Sequence, residues 1–408
     1  MDDRSIERTC FMPPPTALYV HWPFCKRLCT YCAFVKYTDE PALAAPLVDG
    51  MLEQLRRLVR VRGRGPPRVD ALFLGGGSPS VMPVADLARL LDGVRREADP
   101  ASTLASVTLE VNPSDASEAY LDAVRDAGIT RISLGIQSLD DDTLARIGRT
   151  HSARDGLLAL ERALVRFDRV SADVLVGRPR QTVAECRREI ATLAATGIGH
   201  LSAYQLTIER GTPLGKAVDA GLVLMPDVDE QAAFHETVVD EAIRLGFEQY
   251  EVSNFARSAA DQGLAQVMGW HGGEYVGLGP GAHSRMDMHT GRRHALVGRP
   301  TPHDFLADLQ RDPDDLAVGV NRALSRDEHV SELVMTAMRT RTGLSPAILP
   351  PGVHLAHLVD ADALAAATAQ GWIESTADGG LAFTRDGLMR SDGLTLDVFS
   401  PAFARGDQ

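Results

Sequence analysis

Long apolar segments and basic charge are both scarce in this sequence. No apolar run approaches the ~18 residues of a membrane-spanning helix. Residues 1–15 are polar and then proline-rich, so they resemble neither a secretory signal nor an arginine-rich presequence. The formal net charge is −13. That charge argues against nucleic-acid binding, which needs a basic surface. The composition therefore predicts a protein with no membrane span and no nucleic-acid partner.

Cysteine is also scarce, with five residues in 408. Cys10 and Cys186 are isolated, whereas Cys25, Cys29 and Cys32 stand within eight residues. This distribution does not predict a disulfide framework, and it suits a reducing compartment. We therefore expect a cytoplasmic protein.

The three clustered thiols are enough to hold one iron–sulfur centre. They lie in the segment 19–34, Tyr-Val-His-Trp-Pro-Phe-Cys-Lys-Arg-Leu-Cys-Thr-Tyr-Cys-Ala-Phe. A closed [4Fe–4S] cluster takes four cysteines, so three leave one iron open to a small molecule. A tetrahedral zinc site usually takes four protein ligands. The alternative is therefore a zinc site completed by His21 or by a distant residue.

Short β-branched runs alternate with helical patterns over the first 250 residues. Strands are predicted at 17–21, 69–74, 106–111, 131–135, 170–176 and 200–204. Helices are predicted at 41–62, 83–97, 116–127, 152–166, 182–195 and 229–245. Six such units predict an α/β fold with a parallel sheet, and polar residues at successive strand ends favour a partial (β/α)6 barrel.

The rest of the chain predicts a smaller unit. A glycine-rich stretch, 272–283, is expected to pack at the barrel edge. We predict an N-terminal tail at 1–16, the barrel with its edge extension at 17–295, a linker at 296–324 and a C-terminal domain at 325–408. A hairpin pattern near 371–388, followed by a helix, makes that domain winged-helix-like α+β.

Candidate ligand-binding residues follow the predicted strands. Residues 75–80, Gly-Gly-Gly-Ser-Pro-Ser, allow close approach of the backbone to a ligand. Glu110 and Gln137 end two further strands, and Arg149 follows twelve residues after Gln137. Arginine suits bidentate recognition of a carboxylate. Asp173 lies in the fifth strand. Each of these residues alone fits an ordinary surface polar group, but together they predict one site.

Together these motifs resemble the radical S-adenosylmethionine (SAM) superfamily, in the branch of oxygen-independent coproporphyrinogen III oxidase and the haem chaperone HemW. The resemblance covers residues 17 to about 285. It implies that Cys25, Cys29 and Cys32 hold a [4Fe–4S] cluster. It also implies a SAM site formed by Tyr19, Phe34, Gly76, Gly77, Ser78, Glu110, Gln137, Arg149 and Asp173, of which Tyr19, Glu110 and Arg149 are the candidate catalytic residues.

Three departures from this branch bear on the activity. Phe34 replaces a cysteine of the oxidase, and only 24 residues precede Cys25. The stretch 265–270, Ala-Gln-Val-Met-Gly-Trp, keeps only the last residue of the His-Asn-x-x-Tyr-Trp pattern of HemW. Residues 176–182, Val-Gly-Arg-Pro-Arg-Gln-Thr, also differ from the branch. These changes predict a class C-like methylase or cyclopropanase that uses two SAM molecules and forms no stable haem complex.

The predicted substrate is an aromatic small molecule or peptide, and the predicted electron donor is flavodoxin- or ferredoxin-like. The alternative functions are a HemW-type haem chaperone and, less favoured, the oxidase itself.

Overall fold

The computed structural model describes residues 16–288 and 291–403. The predicted N-terminal tail lies outside these ranges except for Thr16, which begins the first strand. Over the two described ranges, no helix combines the length and the apolar character needed to cross a membrane.

The first half of the chain alternates strands and helices, as predicted. Its strands are β1 (Thr16–Trp22), β2 (Phe24–Cys25), β3 (Tyr37–Thr38), β4 (Val69–Gly76), β5 (Ser106–Val111), β6 (Arg131–Gln137), β7 (Arg169–Val176) and β8 (His200–Gln205). Its helices are α1 (Ala44–Arg62), α2 (Val84–Glu97), α3 (Glu118–Ala127), α4 (Asp141–Arg146), α5 (Ala153–Leu164), α6 (Val183–Ala195), α7 (Pro213–Asp219) and α8 (Val228–Arg244).

The strands β1, β4, β5, β6, β7 and β8 lie side by side in that order, and all adjacent pairs are parallel. Their apolar side chains form the main core; Leu109, Ile132 and Val174 are fully buried. Short-range capping interactions mark the starts of several helices. The Thr182 hydroxyl and the Glu185 carboxylate, for example, form a reciprocal capping box at the start of α6. The predicted partial (β/α)6 barrel is confirmed.

The sheet continues beyond both ends of this barrel. The next elements are β9 (Glu248–Glu251), β10 (Asn254–Ala256), α9 (Leu264–Trp270), β11 (Glu274–Leu278), β12 (His283–Asp287), β13 (Arg293–Gly298), α10 (Pro302–Arg311) and β14 (Val318–Ala323). The glycine-rich stretch provides β11, which pairs in parallel with β1, and β12, β13 and β14 follow as antiparallel strands. Within the two described ranges, twelve strands thus form one sheet.

The segment predicted as a linker, 296–324, is not a loop. It contains the end of β13, all of α10 and β14. Helix α10 packs on α1, where Arg57 donates hydrogen bonds to the carbonyl groups of Leu309 and Asp312. This segment has a loop-like sequence pattern because β14 is solvent-exposed and lacks alternating apolar residues.

The C-terminal unit has a core of its own, which includes the fully buried Val334, Phe383 and Phe399. Its elements are α11 (Arg326–Ala337), α12 (Ala361–Ala369), β15 (Ile373–Ser375), β16 (Leu381–Phe383), α13 (Arg385–Leu388), α14 (Ser391–Val398) and α15 (Ser400–Phe403). The predicted hairpin and following helix are therefore present. The guanidinium of Arg339 joins this unit to the barrel through the Glu251 carboxylate.

Candidate active site

A cavity of about 450 Å³ opens at the carboxyl ends of the barrel strands. Ligands commonly bind at this end of parallel α/β folds, because the loops after the strands converge there. All but one of the predicted site residues line it: Cys25, Cys29, Cys32, Phe34, Gly76, Gly77, Ser78, Glu110, Gln137, Arg149 and Asp173. The sequence thus identified residues far apart in the chain that share one cavity.

Tyr19 is the exception, because it does not line this cavity. Its phenol lies 2.9 Å from Nδ1 of His21, and its ring stacks on Phe73. The pKa of Tyr19 is raised, first by burial and then by the nearby Glu110 carboxylate. Tyr19 therefore supports the wall behind the site.

The loop carrying the cysteines is fixed by backbone hydrogen bonds at several points. The Thr30 amide donates to Ile147 at 3.1 Å, and the Asp39 amide donates to Cys25 at 2.9 Å. Cys25 is buried, which raises the pKa of its thiol, while Ser78 and Lys36 act in the opposite direction. Metal binding would deprotonate the three thiols. Three thiols on one cavity wall, with Lys36 nearby, fit a thiolate-ligated cluster.

His21 does not fit as the fourth ligand of a zinc site. Its Nε2 lies 2.7 Å from the Val35 carbonyl, which can only accept, so Nε2 carries the hydrogen. Nδ1 then accepts from the Tyr19 hydroxyl. Both ring nitrogens are therefore engaged. In the described residues, no three His, Cys, Asp or Glu side chains surround a single-ion position. A four-iron cluster is larger than an ion and spaces its ligands further apart.

The glycine run brings backbone to the cavity wall. The Gly77 amide donates to Trp22 at 2.7 Å, and the Ser78 amide donates to Phe24 at 2.8 Å. A Cβ atom on Gly77 would lie 2.8 Å from the Phe24 carbonyl oxygen, so a side chain would force the two segments apart. Gly76 has a positive φ of 110°, which also favours glycine. The close approach provides a cradle for a polar ligand.

Two carboxylates, Glu110 and Asp173, form another part of the cavity wall. Burial raises the pKa of Glu110 to about 8, with a smaller contribution from the Asp173 charge. Burial also raises the pKa of Asp173, which accepts hydrogen bonds from Ser133 at 2.7 Å and Ser171 at 3.2 Å. Among the described residues, neither carboxylate forms a salt bridge. A ligand with an ammonium group or paired hydroxyls would therefore complement this wall.

Gln137 lies at an irregularity in β6, beside the Gly135 carbonyl that holds Arg149. The pairing of β6 with β7 shifts register between Gly135 and Gln137, and Gln137 has a φ of 64°. The Arg149 guanidinium donates to the Gly135 carbonyl at 2.7 Å and to the Asn112 side chain at 2.8 Å. It also lies 3.7 Å from the Cys29 sulfur. Arg149 thus places a fixed cation beside the cysteine loop.

The sequence analysis missed several lining residues, including Tyr31, Lys36, Asn112, Ser133 and Tyr204. Tyr204 follows the same rule as Glu110, because it lies near the carboxyl end of a barrel strand. Strand-end position was therefore the signal that could have identified it.

Comparisons with known proteins identify the family of this chain. A family model described as the radical SAM superfamily matches residues 19–193. A protein named heme chaperone HemW from Mycobacterium tuberculosis is 36% identical over 335 residues, which cover 81% of this chain and 83% of that protein. The chain belongs to the radical SAM superfamily, in its HemW-like branch.

Other HemW-like relatives extend the match. Mouse radical S-adenosyl methionine domain-containing protein 1, named as mitochondrial, is 42% identical over 339 residues, covering 81% of this chain and 74% of that protein. The structure of coproporphyrinogen III oxidase (HemN) from Escherichia coli has the same fold, with a TM-score of 0.76, 20% identity and coverage of 94% and 90%. Superfamily membership implies a [4Fe–4S] cluster and SAM. The cavity at the strand ends has residues that fit both.

The relatives do not support the methylase predicted from the sequence. The HemW-like branch is correct, but these matches carry the names of a haem chaperone, a radical SAM domain protein and, at the level of fold, an oxidase. The use of two SAM molecules stays a prediction, as do the electron donor and the cytoplasmic location.

Proposed function

We propose that this protein is a HemW-type haem chaperone that holds a [4Fe–4S] cluster and SAM in the cavity at the carboxyl ends of its strands. Its relatives support this proposal most directly, since a protein named heme chaperone HemW matches four-fifths of both chains at 36% identity. The haem is cargo in this proposal, delivered to an acceptor protein.

The cavity supports the cofactor part of the proposal. Cys25, Cys29 and Cys32 would hold the cluster, which when bound supplies the electron that splits SAM. The backbone at Gly76 and Gly77 would take the amino acid part of SAM, and the Glu110 carboxylate would accept hydrogen bonds from its ammonium group. The Arg149 guanidinium, fixed by Asn112 and Gly135, would stabilise the SAM carboxylate.

The departure that motivated the methylase prediction lies elsewhere in the fold. Residues 265–270 belong to α9, just after Gly263, whose amide donates to the Tyr250 hydroxyl. That hydroxyl contacts His200, the first residue of β8. Helix α9 is therefore near the amino ends of the strands, opposite the SAM cavity. Its altered sequence therefore gives no support for a second SAM molecule in the cavity.

The deciding experiment is an anaerobic haem titration of the cluster-loaded protein, with and without SAM. We expect a stoichiometric haem complex, transfer of haem to an apo-haem protein, and no S-adenosylhomocysteine. A Cys25→Ala variant serves as the control that separates haem binding from cluster loading. Formation of S-adenosylhomocysteine with 5′-deoxyadenosine, without haem binding, would instead favour the two-SAM methylase.

A further inference from the structure

A chain of hydrogen bonds crosses the barrel interior below the SAM cavity. The Asp173 carboxylate lies 3.2 Å from the Ser171 hydroxyl. That hydroxyl lies 2.8 Å from Nδ1 of His200, and Nε2 of His200 lies 2.7 Å from the Tyr250 hydroxyl. The Gly263 amide, at the start of α9, lies 3.2 Å from the same Tyr250 oxygen. The chain therefore links the cavity to the other end of the barrel.

The donors in this chain can be assigned from its two ends. An ionised Asp173 can only accept, so Ser171 donates its hydrogen to Asp173 and must accept from His200. The single hydrogen of a neutral His200 is then on Nδ1. Nε2 consequently accepts from Tyr250, whose oxygen accepts from the Gly263 amide. Every hydrogen in the chain points towards Asp173. Each donor therefore has an acceptor, and no two donors face each other.

The surroundings of His200 keep it neutral. Its pKa is lowered well below the usual value, first by burial and then by the Arg131 guanidinium. Ser171 and Tyr250 are its two hydrogen-bonding neighbours. Arg131 opens β6 at the same end of the barrel and is itself buried, at 2% exposure. A positive charge beside a buried imidazole opposes its protonation.

We propose that His200 is a positioning residue for the SAM site: through Ser171, its Nδ1–H keeps the Asp173 carboxylate ionised and oriented into the cavity. This inference rests on the proposed function, which places SAM in the cavity that Asp173 lines. His200 does not line the cavity, so its effect on SAM is transmitted by Ser171. The arrangement offsets the desolvation that acts on Asp173, because hydrogen bonds to a carboxylate favour its charged form.

A double-mutant cycle on SAM affinity tests this role. In cluster-loaded protein, His200→Phe should weaken SAM binding roughly three- to tenfold, the effect of one ordinary hydrogen bond. In an Asp173→Asn background the same change should have almost no effect, because the group on which His200 acts is gone. His200→Asn, which keeps an N–H donor, should retain most of the affinity. His271→Gln is the matched control, since His271 bonds Thr340 and Thr342 away from the cavity.

The outcomes separate the inference from the site assignment. If Asp173→Asn weakens SAM binding and His200→Phe does not, the positioning role is overturned while the SAM site stands. Equal losses from His200→Phe in both backgrounds would also overturn it, as a general structural effect. If Asp173→Asn leaves SAM affinity unchanged, Asp173 is no SAM contact and the inference fails with that assignment. None of these results bears on haem transfer, which the haem titration tests separately.

A second measurement reads the His200 ring directly in the wild-type protein. In protein labelled with ¹⁵N-histidine, the His200 ring should stay neutral and carry its hydrogen on Nδ1 from about pH 6 to 8. The His200→Asn spectrum identifies the signal. A hydrogen on Nε2, or a charged ring, would reverse the chain and overturn the proposal.

Discussion

The raised pKa of Glu110 predicts that SAM affinity depends on pH. The pKa of this carboxyl is raised to about 8, mainly by burial and then by Asp173. Without SAM, Glu110 is therefore largely protonated at neutral pH. An ammonium ligand, however, requires the ionised carboxylate. Binding must release the proton. The ionised fraction is about 1% at pH 6 and about half at pH 8, so this residue should improve affinity about fifty-fold over that interval.

The assay is calorimetric titration of the cluster-loaded protein with SAM at several pH values, beside Glu110→Gln. The α-amino group of SAM also titrates near pH ~8. We therefore use the ratio of the two dissociation constants, which isolates Glu110. A ratio that stays constant from about pH 6 to 8 would refute the argument.

The raised pKa of Glu110 also predicts how the stability of the protein without SAM depends on pH. The unfolded carboxyl ionises near 4.5 and the folded one near 8. The folded state therefore binds more protons between these values, and stability falls as pH rises through this window. In thermal unfolding, the wild-type protein should lose stability as the pH rises through this window. The Glu110→Gln variant should lose less.

Three further predictions concern the cluster and the cradle. Anaerobic reconstitution should give about four irons and four sulfides per chain with broad absorbance near ~400 nm, lost in Cys29→Ala; zinc without iron would contradict it. Arg149→Ala should weaken SAM binding about tenfold to a hundredfold, with iron content measured alongside because of the Cys29 contact. Gly77→Ala should abolish SAM binding through its backbone clash, whereas Gly393→Ala, with no atom within 4 Å, should bind normally in a calorimetric titration.

The barrel could be predicted because its strands are buried by the surrounding structure. The predicted strand 106–111 matches β5 at both ends, and the predicted strand 69–74 misses only the glycines that complete β4. Burial produces apolar β-branched runs whose ends are marked by polar or glycine residues. Helix α10 was missed although Thr301, Pro302 and Asp304 form a recognisable N-terminal signal.

The site could be predicted only in part. Cys25 was identified from spacing, Glu110 from its strand-end position and Asp173 from the family resemblance, and the structure brings all three to one cavity. The positive φ of Gln137 and the separation of Tyr19 from the cavity depend on register and packing, which one sequence does not specify. The methylase prediction depended mostly on the stretch 265–270. The neighbours of this stretch in the fold cannot be read from the sequence.

The exposed strand β14 has a consequence for self-association. In the described part of the chain it pairs with β13 on one side and with no strand on the other. Unpaired backbone groups along such an edge can recruit a strand from another molecule. Two features oppose this: a register shift between Val297 and Gly298 distorts the partner strand, and Arg322 places an ion pair with Glu328 on the edge. Charge and irregularity at this edge thus help to keep the large sheet from recruiting strands of other molecules into larger β-assemblies.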